Sequence, residues 1–258
     1  MKPVVHVESA GNGPPLVLLH GWAMHSGLWG GVPQRLAKRF RVHVVDLPGH
    51  GGSAPLAACT LDALTAAVAG AVEAASEPLT VVGWSLGGTV ALRWARTEPA
   101  RVGRLVLVAT TPCFVARDGW PQAMSAATLA RFGDELGAAY RPTLQRFLSL
   151  QLAGSEHGRA ALATLRRELF ARGDPSPAAL AEALALLSAA DLRADVPAIA
   201  QPALVVAGAR DTLTPPAAAA WLAAAMPNAR LVTIAGAGHV PFLSHPVEFA
   251  AALDGFLR

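Results

Sequence analysis

Leu79-Thr80-Val81-Val82-Gly83-Trp84-Ser85-Leu86-Gly87-Gly88 decides how the chain is read. The first four residues are apolar or β-branched and form a short buried strand. Residues 86–97 follow with the apolar spacing of a helix. Between them, small residues at 83 and 87 permit a tight strand-to-helix turn that lifts Ser85 above the sheet. There its hydroxyl meets the positive end of the next helix. Ser85 is therefore the candidate nucleophile, the alternative being a purely structural glycine-rich turn. A serine hydroxyl is hardly ionised at neutral pH, so a nucleophilic serine needs a base elsewhere in the chain.

Outward from this turn, short apolar runs at 4–7, 16–19, 42–45, 79–82, 105–108, 203–207 and 231–234 read as strands. Continuous apolar runs of this length suit parallel strands covered on both faces. Helical patterns at 61–75, 86–97, 216–225 and 247–257 lie between or after them. This alternation predicts an α/β fold with a mostly parallel central sheet and helices on both faces. Residues 112–197 break it. They contain no convincing strand but helical stretches at 125–136, 143–152, 158–171 and 177–188. The sheet resumes afterwards, so the predicted organisation is a core of residues 1–111 and 198–258 with an inserted helical cap at 112–197.

Of the eight histidines, His239 is the candidate base. It lies just after a late strand in Gly236-Ala237-Gly238-His239-Val240-Pro241-Phe242, where flanking glycines let the loop carry the ring over Ser85. His43 falls inside a strand, His157 in the cap, and His245 at the start of the last helix. An imidazole base needs a carboxylate to fix its tautomer. Asp211 ends Val205-Val206-Ala207-Gly208-Ala209-Arg210-Asp211, directly after the preceding strand. Asp46 also follows a strand but precedes the serine, and is read as anchoring its loop. The oxyanion of an acyl-transfer intermediate needs N–H donors. Leu86, just after the nucleophile, supplies one. Trp22, in His20-Gly21-Trp22 after an early strand, supplies the other, with its indole as a pocket wall. This chemistry calls for no metal and no cofactor.

Composition sets the outer limits. The chain has 258 residues, of which 53% are hydrophobic, enough for a full core and incompatible with a disordered chain. Two cysteines, Cys59 and Cys113, are too few for a disulfide scaffold and fit a reducing compartment. The uncharged stretch 12–34 is broken by Gly, Pro and His and could not cross a bilayer as a helix. The first eight residues lack the apolar run and small-residue site of an export signal. A cytoplasmic, monomeric protein without membrane or nucleic-acid partners is expected. Net charge is only +3, and all but two of the 21 basic residues are arginine, a bias of composition. Within the insertion, Arg141, Arg146, Arg159, Arg166, Arg167 and Arg172 face only Glu156 and Glu168 in the same stretch. That local excess is either a solvated helix face or a docking surface for an acidic partner.

With the serine, the aspartate and the histidine in the order Ser85, Asp211, His239, the chain resembles the α/β-hydrolases along its whole length. Leu18-Leu19-His20-Gly21-Trp22, Val45-Asp46-Leu47-Pro48-Gly49-His50-Gly51 and Gly83-Trp84-Ser85-Leu86-Gly87-Gly88 carry that broad likeness. More specific are residues 111–121 (TPCFVARDGWP), 146–151 (RFLSLQ) and 238–246 (GHVPFLSHP), which are similar to the pimeloyl-[acyl-carrier protein] methyl ester esterases of biotin synthesis. The resemblance implies a serine carboxylesterase that removes methanol from the methyl ester of a pimeloyl chain carried on acyl-carrier protein. It further implies that Phe147 lines the acyl channel and that Arg146 and Arg159 contact the acidic carrier. Pro142 and Ala163 stand where that family is expected to have basic residues, a departure that implies shifted or weaker carrier recognition, although Arg141, Arg166 and Arg167 lie close by. Two competing readings are a general short-chain carboxylesterase indifferent to the carrier and a non-catalytic, hydrolase-like ligand receptor. Haloalkane dehalogenase and epoxide hydrolase chemistries need an aspartate where Ser85 stands.

Overall fold

A computed structural model of the chain describes residues 4–72 and 78–258. Seven strands form one sheet: β1 (Val7–Ala10), β2 (Pro15–Leu19), β3 (Arg41–Val45), β4 (Leu79–Trp84), β5 (Val102–Val108), β6 (Ala203–Gly208) and β7 (Ala229–Ile234). Their spatial order is β1-β3-β2-β4-β5-β6-β7, with β1 antiparallel to β3 and every other pair parallel. The helices in chain order are α1 (Val32–Leu36), α2 (Leu61–Ala71), α3 (Leu86–Thr97), α4 (Ala126–Ala138), α5 (Tyr140–Gln151), α6 (Gly158–Glu168), α7 (Pro177–Ala189), α8 (Pro216–Ala225), α9 (Pro241–Ser244) and α10 (Pro246–Phe256).

The apolar runs become strands because the sheet's middle has no wet face. All residues of β2, β4 and β6 are buried, whereas the edge strands β1 and β7 are largely exposed. One expected strand moves. The run at 4–7 does not join the ladder: the Val4 and His6 carbonyls accept from Ala54 and Asp46 N–H groups, and pairing begins only at Val7. Edge strand β1, Val7-Glu8-Ser9-Ala10, needs only backbone partners, so apolar patterning did not mark it. Positions 73–75 of the helix expected at 61–75 lie outside the described residues, and α2 ends at Ala71.

Chain order reverses around β2, which has β3 on one side and β4 on the other. At such a switch point, loops leaving the carboxyl ends of neighbouring strands diverge and leave a crevice. Residues 20–22 leave β2 and Ser85 leaves β4 at this crevice. Between β5 and β6 lie α4 to α7, the predicted insertion. Its two ends meet: the Leu192 N–H donates to the Pro112 carbonyl (2.8 Å), and Cys113 bridges Asp191. Leu129, Leu136, Leu144, Leu148, Leu165 and Leu180 point inward from these helices and join the hydrophobic core of the sheet. Among the described residues, no helix is long and apolar enough to cross a membrane. Both cysteines are free thiols.

Candidate active site

Ser85 has φ 54° and ψ −116°, a backbone conformation that side chains rarely adopt. Such strain costs on the order of 1–3 kcal/mol and persists only where neighbours enforce it. The enforcement is visible in the turn. A Cβ at Gly83 would lie 2.4 Å from the Gly87 carbonyl oxygen, and one at Gly87 would lie 2.1 Å from that of Leu19. The Ser85 N–H is held by the Val108 carbonyl (3.0 Å), and its own carbonyl accepts from Gly88 and Thr89. Ser85 thus occupies the N-cap of α3 without using its hydroxyl as the cap.

His239 and Asp211 arrive from the ends of β7 and β6. Nδ1 of His239 lies 2.8 Å from Oδ2 of Asp211, and both side chains are buried. The Asp211 carboxylate also accepts from the Leu213 N–H (2.9 Å), the Thr214 N–H (3.0 Å) and the Thr214 hydroxyl (2.7 Å). Burial works against its ionisation. The adjacent His239 imidazole and these hydrogen bonds outweigh burial and hold the carboxyl below the usual carboxylate range. A carboxylate facing Nδ1 makes that nitrogen the donor and leaves Nε2 as a proton acceptor. The imidazole is positioned from behind as well: the Trp84 indole donates to the His239 carbonyl (3.0 Å), and the Gln151 carbonyl accepts from the His239 N–H (2.8 Å). Ser85 and His239 face the same cavity but share no direct hydrogen bond; catalytic contacts of this kind often tighten only with substrate bound.

The loop after β2 closes the opposite side. A Cβ at Gly21 would sit 3.3 Å from the Ser85 Cβ, so residues 20–22 lie against the Ser85 turn. The His20 Nε2 accepts from the Leu47 N–H (2.9 Å), which leaves the proton on Nδ1, 2.8 Å from the Gly21 carbonyl. That carbonyl belongs to the peptide whose N–H is Trp22's, so His20 fixes the orientation of the expected donor. Leu86, first residue of α3, has no intrahelical acceptor for its N–H. Burial, and then the neighbouring His50, push the His20 pKa down and keep the ring neutral.

These groups open onto a partly enclosed cavity. Of its thirteen lining residues, only Ser85, Thr128 and His239 carry a hydroxyl or imidazole; Phe114, Met124, Phe132, Phe147, Leu184 and Leu187 form most of the rest. Phe147 meets the Trp22 indole edge-on at 5.2 Å, and Phe132 does so at 5.6 Å. The Trp22 Nε1–H donates to the Leu180 carbonyl of α7 (2.9 Å), so its indole joins the insertion to the core. Leu150 lines the cavity yet is 43% exposed, which puts the mouth beside α5.

The expected site residues therefore separate into two groups. Ser85, His239, Trp22 and Phe147 meet at the cavity, Asp211 stands behind His239, and Leu86 follows Ser85 at the start of α3. Arg146 and Arg159 lie on the exposed face of the insertion. Arg146 is paired with Glu135, while Arg159 has no acidic partner among the described residues. Arg141 pairs with Asp174, Arg167 with Glu168, and Arg172 with Glu8 and the buried Asp46; Arg166 reaches the Ser149 hydroxyl. Asp46 ties its loop together through the Ser26 and Gly52 N–H groups. Sequence reading missed Thr214: the Asx-turn signal of Asp211 marks a backbone donor two residues on, not the Thr214 hydroxyl. It also missed Gln151, which acts through its carbonyl and so leaves no trace in residue type.

The chain belongs to the family with the alpha/beta hydrolase fold, whose model matches residues 14–246. It is similar to the pimeloyl-[acyl-carrier protein] methyl ester esterase of Nitrosomonas europaea, at 48% identity over 250 residues covering 97% of this chain and 98% of that one. The protein of the same name from Xanthomonas axonopodis pv. citri is 46% identical over 257 residues, 98% of each chain. Among solved structures, an esterase from Exiguobacterium antarcticum superposes with a TM-score of 0.91 over 99% of this chain and 96% of that one. At 23% identity, that likeness speaks for the fold alone.

Proposed function

We propose that the chain is a serine carboxylesterase that hydrolyses the methyl ester of pimeloyl-[acyl-carrier protein] to the free ω-carboxylate and methanol in biotin biosynthesis. The observation that carries this reading is the Asp211–His239 pair sharing with Ser85 an apolar cavity suited to an aliphatic acyl chain. The near full-length likeness to esterases of that name supports the substrate. Residues 1–111 and 198–258 serve as the hydrolase core, and residues 112–197 as its cap.

In the proposed mechanism, His239 Nε2 takes the Ser85 proton as Oγ attacks the ester carbonyl. Asp211 holds the imidazole in the required tautomer and stabilises the imidazolium. The Trp22 and Leu86 N–H groups receive the oxyanion. His239 then protonates the departing methoxide, and methanol leaves the acyl-enzyme. Water, deprotonated by His239, attacks the acyl carbonyl, and collapse of the second intermediate returns the proton to Ser85. Phe147 and Trp22 guide the acyl chain. Arg159 and Arg146 face the acidic carrier, and Arg159 contributes more because no acidic neighbour among the described residues neutralises it. The same reading keeps the protein cytoplasmic and monomeric.

Ser85→Ala is expected to lower ester turnover by at least about 10⁴-fold while leaving the fold intact. Rates on methyl pimeloyl-carrier protein and free methyl pimelate, measured for wild type, Arg159→Glu and Arg146→Glu, test the partner. The expected result is a KM for the carrier-bound ester raised about tenfold by Arg159→Glu, less by Arg146→Glu, and no change with the free ester. Equal rates on both substrates, unaffected by charge reversal, would favour the general esterase.

A further inference from the structure

We infer that Arg210 is a positioning residue that locks the cap's 151–156 turn onto the two loops carrying Asp211 and His239. Seating of the cap and alignment of the acid–base pair then become one event. The inference rests on the reading of Asp211 and His239 as that pair. Arg210 directly precedes Asp211, and its N–H donates to the Ala237 carbonyl (2.8 Å), joining the loop after β6 to the loop after β7. Its side chain turns the other way. Nη1 donates to the Gly154 carbonyl (2.6 Å), and Nη2 to Oε1 of Glu156 (3.0 Å).

The cap turn grips the His239 loop independently. The Glu156 N–H donates to the Gly236 carbonyl (3.1 Å), and the Gln151 carbonyl accepts from the His239 N–H (2.8 Å). Gly236 has φ +74°, a backbone conformation that side chains rarely adopt, and it lies against the Glu156 carboxylate. Cap turn, Asp211 loop and His239 loop thus close a ring of hydrogen bonds, in which the Arg210 side chain joins the cap turn to the Asp211 loop. Arg210 and Glu156 are about half exposed, at 49% and 55%, so their ion pair adds little to global stability. Its consequence is geometric. Displacements of about 1 Å in reacting groups can cost on the order of 10²-fold in rate.

The test is hydrolysis of a small free methyl ester, which removes carrier docking from the measurement. Arg210→Met keeps the stem and removes the guanidinium donors. The expected result is a kcat lowered about five- to twentyfold, KM within about twofold of wild type, and an unchanged thermal midpoint. Arg210→Lys, with one donor able to reach the Gly154 carbonyl, is expected to recover a substantial part of kcat. If Arg210→Met were to fold poorly, Arg210→Gln is judged by the same criteria. A kcat within twofold of wild type would overturn the inference. So would a loss that tracks falling stability, or one that Arg210→Lys fails to relieve. Absence of Ser85-dependent hydrolysis in the wild type would instead defeat the esterase reading itself.

Discussion

In the sheet, every proposed reacting group sits within a few residues of a strand end; β2, β4 and β6 have ladders on both sides, and the edge strand β7 has one. Ser85 follows β4, Asp211 follows β6, His239 follows β7 and Trp22 follows β2. In the proposed cap, helices α4 to α7 pack on one another and α6 also on α9, and several of their side chains line the cavity. The contrast teaches a division of labour. Chemistry needs atoms fixed to fractions of an ångström, which a multi-strand sheet supplies; an acyl chain needs only an apolar wall, which leucine-rich helices supply. A sheet-derived site should therefore fail sharply when one polar atom is altered, and the cap should fail gradually.

The sharpest way to break that contrast is Asp211→Asn. The amide has nearly the carboxylate's shape, and the Leu213 and Thr214 donors remain to hold its oxygen. Its NH₂ would face Nδ1 of His239, reverse the tautomer and leave Nε2 protonated when Ser85 needs a base. A kcat reduced about 10³- to 10⁴-fold, with the fold unchanged by circular dichroism, is expected. A loss below tenfold would remove the carboxylate from the proposed mechanism.

A second measurement asks which region fails first in acid. His20, His25 and His50 are buried in core loops, and burial is the leading cause that pushes each pKa down. Hydrogen bonding argues the same way for His20 and His25, since each has one ring nitrogen accepting a backbone N–H and so is neutral. With folded values below the unfolded one, the unfolded chain binds more protons at low pH. These groups therefore favour the native state above about pH 6.5 and lose that contribution as pH falls. His20 and His50 should each remove up to about 1.4 kcal/mol of stability per pH unit below that point. Asp211, with its pKa lowered, adds a loss only below the ordinary carboxylate range. Denaturant midpoints at a series of pH values should fall from about pH 6.5 downward. A midpoint flat to pH 5 would refute the assignment of neutral, buried core histidines.

The same division explains what could be read from sequence. Ser85, Asp211 and His239 were legible because each combines a chemically distinctive residue with a strand end, and α3 and α8 occupy the spans their patterns predict. The edge strand β1 was not, because its ladder uses backbone groups that any residue carries. Nor was the state of the cap arginines. Arg146 is neutralised by Glu135, eleven residues back on a different helix, and only the packing of α4 on α5 brings them together. Gln151 and Leu180 act through carbonyl oxygens, which residue identity does not encode.

Trp22 is one place where the two regions touch, and it separates their contributions within one residue. Its backbone N–H belongs to the core, oriented by the His20–Gly21 hydrogen bond, while its indole N–H reaches the Leu180 carbonyl of α7. Trp22→Phe keeps the backbone donor and an aromatic ring against Phe132 and Phe147 but deletes the tether. The Leu180 carbonyl lies inside α7, where the helix supplies another donor, so the substitution leaves no acceptor stranded. The loss is then that of one ordinary hydrogen bond and some packing, about 1 kcal/mol. Activity on the free methyl ester should fall only about three- to tenfold, with KM rising as the wall loosens. A fall of 10³-fold or more would mean that the indole itself governs the oxyanion donor, and that core and cap do not divide their tasks at this residue.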